Sequence, residues 1–186
     1  PAIAAYISIH NMVASMIDSY GTDSQREEWL PGLTTMDQLG SYCLTEPSVG
    51  SDAAALSTSA RETGDGYVLR GTKQFISGGG VSDVYLVMAR TGDTGARGIS
   101  AFLVDKDAPG LSFGPPEEKM GWHSQPTAQG IFDVVVVPAE ALVGWPDGVG
   151  AGFSMAMNGL NGGRLNIAAC SLGGAQAAYD AALSYT

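Results

Sequence analysis

The sequence predicts an α+β fold, in which helical segments flank a middle domain built as an antiparallel β-barrel or sandwich. Apolar residues recur at helical spacing over residues 1–40 and 148–186, whereas residues 41–147 form short β-rich runs separated by Gly, Pro, Asp and Ser. No helix-length pattern interrupts those runs, which excludes a parallel sheet with crossover helices. We therefore expect the end of an N-terminal helical domain (1–40), a middle β domain (41–147) and the start of a C-terminal helical domain (148–186).

Two helices are expected in the first forty residues. Apolar side chains between residues 3 and 17 follow spacings of three and four, and Gly21 ends this pattern. Asp23 can cap a second, short helix that runs to Leu30. The residues after Asp23 support this helix, because they place acidic side chains in its first turns, where the helix dipole favours negative charge.

The middle domain is expected to contain five strands, because β-branched and aromatic residues cluster there between turn-forming residues. A Gly64-Asp65-Gly66 turn joins the first two strands as a hairpin. The valine run at 134–137 predicts a buried strand. The five predicted strands span residues 57–62, 67–73, 84–90, 99–105 and 130–137.

A helical period returns after Gly148 and continues to the end of the sequence. Glycines within this pattern lower its helix propensity, so we expect another element to pack very close to the helix at these positions. The glycines concerned are Gly162, Gly163, Gly173 and Gly174.

Composition excludes several classes of function. With 9 Lys and Arg against 19 Asp and Glu, the net charge at pH 7 is -10, so the chain has no large basic face for a nucleic acid. Hydrophobic residues make up 45% of the chain and charged residues 15%, which indicates a globular core rather than an acidic disordered tail. The apolar stretch at residues 2–9 is too short to cross a membrane and has no basic flank. We expect neither a nucleic-acid nor a membrane partner.

The cysteines and histidines show none of the spacings typical of metal ligands, so no metal site is expected. Cys43 and Cys170 are predicted to be buried and reduced, which fits the bacterial cytoplasm or the mitochondrial matrix. His10 falls on the apolar face of the first helix and is predicted to be a core residue. His123 lies in a loop, where a ligand contact is an alternative to a purely structural role.

Three segments together carry the functional signal. Residues 42–52 read YCLTEPSVGSD, a β-run that breaks into a Pro/Gly loop ending in a hydroxyl and a carboxylate. Residues 73–90 read KQFISGGGVSDVYLVMAR, in which an aromatic ring and a hydroxyl precede a glycine run. Residues 159–176 read GLNGGRLNIAACSLGGAQ. In order and approximate spacing, these segments resemble the flavin and acyl-CoA elements of the acyl-CoA dehydrogenase family, over essentially the whole chain.

The resemblance implies that FAD is the cofactor and that the first two segments hold it. A flavin ring needs a flat apolar surface with a few donors near N1, O2 and N5, where negative charge appears on reduction. Thr45 and Ser77 are the hydroxyls available for that purpose. By resemblance, Tyr42, Leu44 and Thr45 line the flavin, Gly50 and Ser51 approach the pyrophosphate or the acyl-CoA, and Phe75, Ile76 and Ser77 cover the other side of the ring.

FAD and coenzyme A are polyanions, so a chain at -10 needs local cations to bind them. Arg164 is the only Lys or Arg after Lys119, and it falls at the Arg position of the family's helix motif. The resemblance implies that Arg164 and Ser51 contact the acyl-CoA, together with Asn161 one helical turn earlier. A surface ion pair is the alternative for Arg164.

In the family's reaction, a carboxylate removes the α-proton of the acyl thioester while the β-hydrogen leaves as hydride. Some members carry that base immediately before the helix Arg, where this chain has Gly163. Other members carry it in the C-terminal bundle, so we expect the base C-terminal to Thr186 and no catalytic residue within this fragment. Ser48 stands where many members have glycine, and a side chain there restricts φ in the loop expected to approach phosphate.

The activity that the resemblance implies is α,β-dehydrogenation of a short branched acyl-CoA such as isobutyryl-CoA, in fatty acid metabolism or valine catabolism. Electrons would pass to an electron-transfer flavoprotein, with Phe75 as the candidate exit, and the family is commonly homotetrameric. Two alternatives stay open. One is a non-catalytic β module that only binds flavin or CoA, and the other is a related flavin monooxygenase or oxidase.

Overall fold

The computed structural model describes residues 2–92 and 94–185, and there a curled, mixed sheet packs against helices. The predicted α+β class is confirmed. Helices α1, α2 and α3 span Ala2–Tyr20, Asp23–Thr35 and Gly152–Tyr185. Strands β1 to β7 span Gly40–Cys43, Ser59–Thr63, Gly66–Ser77, Val84–Arg90, Ile99–Asp105, Leu111–Phe113 and Thr127–Pro138.

Helix α2 is capped by Thr22 rather than by Asp23, which corrects the prediction. The Thr22 hydroxyl accepts a hydrogen bond from the backbone N–H of Gln25 (3.2 Å), and the Gln25 side-chain oxygen accepts one from the Thr22 N–H (3.0 Å). This reciprocal capping box satisfies two donors that the helix start leaves free, so the cap falls one residue earlier. The helix also continues beyond Leu30 to Thr35 although Pro31 lies within it, and the buried side chain of Leu33 packs its last part against the core.

Among residues 2–92 and 94–185, no element packs closely against the four glycines highlighted in the sequence, so the expected close packing is not found there. Helix α3 runs through them without a break, and an added Cβ at three of them would meet nothing within 4 Å. The close approaches fall on two other glycines. A Cβ at Gly152 would lie 2.5 Å from the Ser100 carbonyl carbon, and one at Gly159 would lie 2.7 Å from the Met16 sulfur.

The sheet is mixed rather than wholly antiparallel. Its strand order is β1-β4-β2-β3-β7-β6, with β5 paired to β4. The hairpin predicted at Gly64-Asp65-Gly66 joins β2 and β3, and the β3–β7, β4–β5 and β6–β7 pairs are also antiparallel. However, β1 runs parallel to β4, and β2 meets β4 in a single parallel pair. The β2–β3 hairpin lies in the long connection between β1 and β4, so the chain returns in the same direction without a crossover helix.

Strand β4 separates two hydrophobic clusters. Its side chains are buried on both faces and alternate between the clusters, as the two-residue period of a strand requires. Val84, Leu86 and Met88 pack in the cluster that contains α1, α2 and the start of α3. Tyr85, Val87 and Ala89 pack inside the curl of the sheet.

The valine run at 134–137 forms part of β7, but only half of it is buried, which corrects the prediction. Val135 and Val137 face the core, whereas Val134 and Val136 are 40% and 61% exposed. An antiparallel strand with one solvated face produces this alternation. The pairing with β3 also shifts register beside Val134, whose φ is 60°.

His10 is a core residue, as predicted. It is 1% exposed, its Nδ1 accepts a hydrogen bond from the Gly40 N–H (3.1 Å), and its Nε2 lies 2.8 Å from the Leu33 carbonyl oxygen.

Cys43 is buried, as predicted, but Cys170 is only half-buried because it lies on the outer part of α3. The prediction of two buried thiols is therefore wrong for Cys170. Both cysteines are free.

His123 is exposed, and its Nε2 lies 2.6 Å from the Lys119 carbonyl oxygen of its own loop. Across residues 2–92 and 94–185, no helix has the length and apolar character needed to cross a bilayer. In the same ranges, no three His, Cys, Asp or Glu side chains are grouped so that they could hold a metal ion.

Candidate functional site

A cavity of about 280 Å³, called the site cavity below, lies where the three sequence segments meet. The loop after β1, the end of β3 and the first half of α3 bound it. The lining includes nine of the ten residues predicted for the site, namely Tyr42, Leu44, Thr45, Gly50, Ser51, Phe75, Ile76, Ser77 and Arg164. The tenth, Asn161, accepts a hydrogen bond from the Arg164 guanidinium (2.8 Å) instead of lining the cavity.

Five residues that the sequence did not predict for the site also line the site cavity. Most are apolar residues whose types are common in any core, so no local signal distinguishes them. Gln74 had a usable signal, because it lies between Lys73 and Phe75 in a recognised motif. The five are Ile9, Ala53, Gln74, Met157 and Leu160.

A tight turn shapes the loop after β1. The backbone N–H groups of Glu46 and Val49 each donate to the carbonyl oxygen of the other, at 2.9 and 3.1 Å. Ser48 lies within this turn and is not among the residues with positive φ, so its side chain does not strain the backbone. An added Cβ at Gly50 would meet nothing within 4 Å, so this part of the loop offers an open backbone to a ligand.

A buried ion pair lies behind the loop. Lys73 on β3 is fully buried, and its Nζ donates to the Glu46 carboxylate (2.9 Å) and to the Leu44 carbonyl oxygen (3.0 Å). The Glu46 carboxylate also accepts hydrogen bonds from the Ser57 hydroxyl and from the backbone N–H groups of Ser57 and Thr58, each at 2.8 Å. The pair therefore ties β3 to both sides of Thr45.

The two charges set each other's protonation. Burial opposes ionisation of Glu46, but the Lys73 ammonium and the hydrogen bonds from Ser57 and Thr58 outweigh it and lower the pKa of the carboxyl to about 2. Burial lowers the pKa of Lys73, and Glu46 acts against that effect. The carboxylate thus keeps its charge at neutral pH.

Tyr42 presents an unsatisfied donor beside the site cavity. Its hydroxyl is buried, and no described residue forms a hydrogen bond with it. Burial raises the pKa of this phenol well above its usual value, so the hydroxyl stays protonated. A buried hydroxyl without a protein partner at a cavity wall is a group that a bound ligand can satisfy. Burial likewise raises the pKa of the neighbouring Cys43 thiol to about 12, which keeps the thiol neutral.

The end of β3 contributes an exposed aromatic ring beside buried neighbours. Phe75 is 62% exposed and has a φ of 59°, whereas Ile76 is 2% exposed. The Ser77 carbonyl oxygen accepts a hydrogen bond from the Ser41 hydroxyl (2.5 Å), which joins this end of β3 to β1.

A second cavity of about 410 Å³, called the apolar cavity below, adjoins the site cavity between α1 and α3. The two share Ile9, Tyr42, Leu160 and Arg164. Gly163 lines the apolar cavity without a side chain. The shared residues make one continuous region that joins polar donors to an apolar compartment.

The donor set of the site cavity fits a flavin. Four residues with neutral hydroxyls line it together with the apolar residues Leu44 and Ile76; they are Tyr42, Thr45, Ser51 and Ser77. Neutral donors on an apolar wall suit a planar ring with a few polar atoms. The cationic side chain in the lining is that of Arg164, which suits an anionic group at the α3 side.

Three family models match the chain in order. They are described as acyl-CoA dehydrogenase N-terminal domain over residues 1–37, middle domain over 41–135 and C-terminal domain over 150–186. A mitochondrial isobutyryl-CoA dehydrogenase of Dictyostelium discoideum is 60% identical over 179 residues, which is 96% of this chain and 42% of that enzyme. The chain thus spans less than half the length of this relative.

Solved structures have the same fold. A chain from work on the electron transferring flavoprotein of Acidaminococcus fermentans and flavin-based electron bifurcation is 42% identical, with a TM-score of 0.89 over 99% of this chain and 47% of that one. A glutaryl-CoA dehydrogenase from Mycobacterium smegmatis in complex with FADH2 is 34% identical, with a TM-score of 0.79 over 87% of this chain and 40% of that one.

Proposed function

Because the chain belongs to the acyl-CoA dehydrogenase family, we propose that it provides the flavin-binding and part of the substrate-binding surface of an FAD-dependent dehydrogenase. The substrate is a short branched acyl-CoA such as isobutyryl-CoA, which is dehydrogenated between its α and β carbons. The observation that carries the proposal is the convergence of nine motif residues, from three distant segments, on the site cavity. The 60% identity to an isobutyryl-CoA dehydrogenase supports the substrate class.

Bound FAD supplies the acceptor for the hydride that leaves the β carbon of the substrate. Thr45 and Ser77 donate hydrogen bonds to polar atoms of the flavin ring, and Tyr42 offers a third hydroxyl from β1. Leu44 and Ile76 exclude water from the ring. Gly50 and the neighbouring Ser51 leave backbone and hydroxyl donors open to a phosphate.

The acyl-CoA lies along α3 in this proposal. Arg164 is held by Asn161 and points its charge toward an anionic group of the coenzyme. The apolar cavity takes the acyl chain, since it opens from the site cavity. Gly163 has no side chain that can take the α-proton, so the base comes from chain outside these 186 residues.

An electron-transfer flavoprotein is the proposed electron acceptor. The likeness to a chain from work on such a flavoprotein supports this partner. Phe75 is the proposed exit, because its exposed ring borders the site cavity. We further propose a homotetramer in the bacterial cytoplasm or the mitochondrial matrix, with the free cysteines and the exposed apolar side chains of α3 as support.

FAD binding to the 186-residue chain tests the flavin assignment. Replacing the Ser77 hydroxyl (Ser77→Ala) removes one donor and is expected to weaken FAD binding by roughly fivefold to tenfold, as measured by quenching of flavin fluorescence. The matched control is Ser112→Ala on β6, which removes an exposed hydroxyl away from the site cavity and leaves FAD affinity unchanged. Equal effects of the two changes, or no FAD binding by the unmodified chain, contradict the assignment.

The reaction type is tested on the complete enzyme that contains this chain. Isobutyryl-CoA is expected to bleach the bound flavin in the absence of oxygen, and Arg164→Gln to raise the acyl-CoA concentration required by roughly tenfold. A flavin that is reduced by NADH but not by isobutyryl-CoA, or an oxygen requirement for substrate turnover, points to a monooxygenase or oxidase instead.

A further inference from the structure

Strand β3 contains a β-bulge at the edge of the site cavity. The pairing with β7 shifts register between Lys73 and Ile76, so that Gln74 and Phe75 together face one residue, Gln129. A bulge of this kind turns a side chain away from the regular alternation of the strand. Here the bulge brings the backbone of Phe75 to a φ of 59° and leaves its ring 62% exposed.

Phe75 does not hold this conformation by intrinsic preference. Positive φ is uncommon for residues other than glycine and is a marked outlier for a bulky side chain. Such a conformation persists only where the surrounding structure over-determines it. Neighbours on both sides are fixed, since Lys73 and Ile76 are buried and the Gln74 N–H donates to the Thr45 carbonyl oxygen (2.8 Å).

A chain of side-chain hydrogen bonds completes the restraint. Gln129 Nε2 donates to Gln74 Oε1 (2.8 Å), and Gln74 Nε2 donates to Glu117 Oε1 (2.6 Å). The Glu117 N–H donates to the Thr127 carbonyl oxygen (2.8 Å), so that Glu117, at the end of this series of hydrogen bonds, is fixed to β7. Because an ionised carboxylate only accepts, the Gln74 amide has one orientation that satisfies both partners.

We propose that Gln129, Gln74 and Glu117 are positioning residues that hold Phe75 at the site cavity. They act on the bulge, and the bulge sets the direction of the ring. The assignment of the covered ligand as FAD rests on the proposed function, whereas the restraint on Phe75 concerns this chain alone. Without the hydrogen-bond chain, the bulge is expected to relax and the ring to sample several positions.

Fluorine NMR of the chain labelled with fluorophenylalanine tests the restraint without any ligand. The chain has five phenylalanines, and the resonance lost in Phe75→Leu identifies the ring of interest. Glu117→Leu is expected to shift and broaden that resonance, and Gln129→Leu, at the other end of the chain of hydrogen bonds, to do the same. Glu117→Gln keeps an accepting oxygen and is expected to leave the resonance unchanged.

The matched control is Glu118→Leu, which removes the adjacent, exposed carboxylate. If Glu117→Leu changes the Phe75 resonance no more than Glu118→Leu does, the positioning role is wrong. Circular dichroism of each variant verifies the fold, and Gln129→Leu replaces Glu117→Leu in the comparison if the latter does not fold.

FAD titration of the same variants links the restraint to the ligand. We expect Glu117→Leu and Gln129→Leu to bind FAD roughly tenfold more weakly than the unmodified chain, and Glu118→Leu to bind it equally well. If neither the unmodified chain nor any variant binds FAD but the Phe75 resonance responds as expected, the positioning role stands and the flavin assignment falls. If FAD binds all variants equally while the resonance responds, Phe75 is positioned but does not cover the flavin, which overturns the link.

Discussion

At the scale of single residues, the pair of Lys73 and Glu46 decides how the loop after β1 meets β3. Burying two charges is costly unless each finds several partners. Lys73 has two oxygen partners, and Glu46 has three further donors. The contact therefore fixes the backbone on both sides of Thr45, which lines the site cavity.

The pair predicts that mutations at Lys73 and Glu46 have strongly non-additive effects on the free energy of unfolding. Lys73→Met or Glu46→Gln alone leaves one buried group without its partner and is expected to lower the free energy of unfolding by about 3–5 kcal/mol. The double variant removes both charges and is expected to cost much less than the sum of the single changes. Urea denaturation of the four proteins gives the coupling energy, and additive costs would show that the pair does not act as a unit.

The same pair predicts how the free energy of unfolding falls at acidic pH. The pKa of Glu46 is about 2 in the folded chain against an ordinary value of 4.5, so its contribution to stability is complete above about pH 4.5 and is lost as the pH falls toward 2. Between pH 5 and pH 3 the free energy of unfolding of the unmodified chain should fall by about 2 kcal/mol more than that of Glu46→Gln. Urea denaturation at pH 5 and pH 3 measures the difference, and parallel pH profiles would contradict the shifted pKa.

At the scale of elements, the attachment of α3 to the sheet places Arg164 at the site cavity. The helix begins at Gly152, which lies directly against the backbone of Ser100 and Ala101 on β5. Only a residue without Cβ allows that approach. From this start the helix passes Met155 and Ala156 through the core before it reaches the site cavity.

Two glycines of α3 should respond to alanine in opposite directions. Gly152→Ala forces α3 away from β5, because the new Cβ would lie 2.5 to 2.8 Å from backbone atoms, and is expected to destabilise the fold by about 1–3 kcal/mol. Gly162→Ala meets open space in the same helix and is expected to stabilise it by about 1 kcal/mol through helix propensity. Thermal unfolding followed by circular dichroism measures both, and a gain from Gly152→Ala would disprove the close contact.

At the scale of the whole molecule, stability is unevenly distributed. Two buried clusters lie on either side of β4, whereas residues 171–185 of α3 are exposed along their whole length. Leu172, Tyr179 and Leu183 are each more than 60% exposed there. A helix without a packed apolar face has little beyond its own hydrogen bonds to hold it.

Amide hydrogen exchange should show this difference. We expect amides in residues 172–185 to exchange at least roughly tenfold faster than those in residues 153–160. Core packing of residues 153–160 opposes the local opening that exchange requires. Measurements at several protein concentrations serve as the control. Equal protection of the two halves at low concentration would contradict the uneven distribution, and protection that grows with concentration would indicate association through α3.

The sequence alone determined the helix-sheet-helix order, the hairpin at Gly64-Asp65-Gly66 and the residues of the site motifs. It did so because periodicity, turn chemistry and motif spacing are properties of a few neighbouring residues. For the same reason the cap of α2 was misplaced by one residue, since Thr22 and Asp23 are both good caps and only the reciprocal bond with Gln25 separates them.

Only the tertiary structure decided how the motifs meet. The parallel pairing of β1 with β4, the buried contact of Lys73 with Glu46 and the bulge that turns Phe75 outward all join residues that are distant in sequence or depend on a facing strand. Such contacts follow from the need to satisfy every buried charge and backbone group of the chain at once, and no local pattern of residues contains that condition.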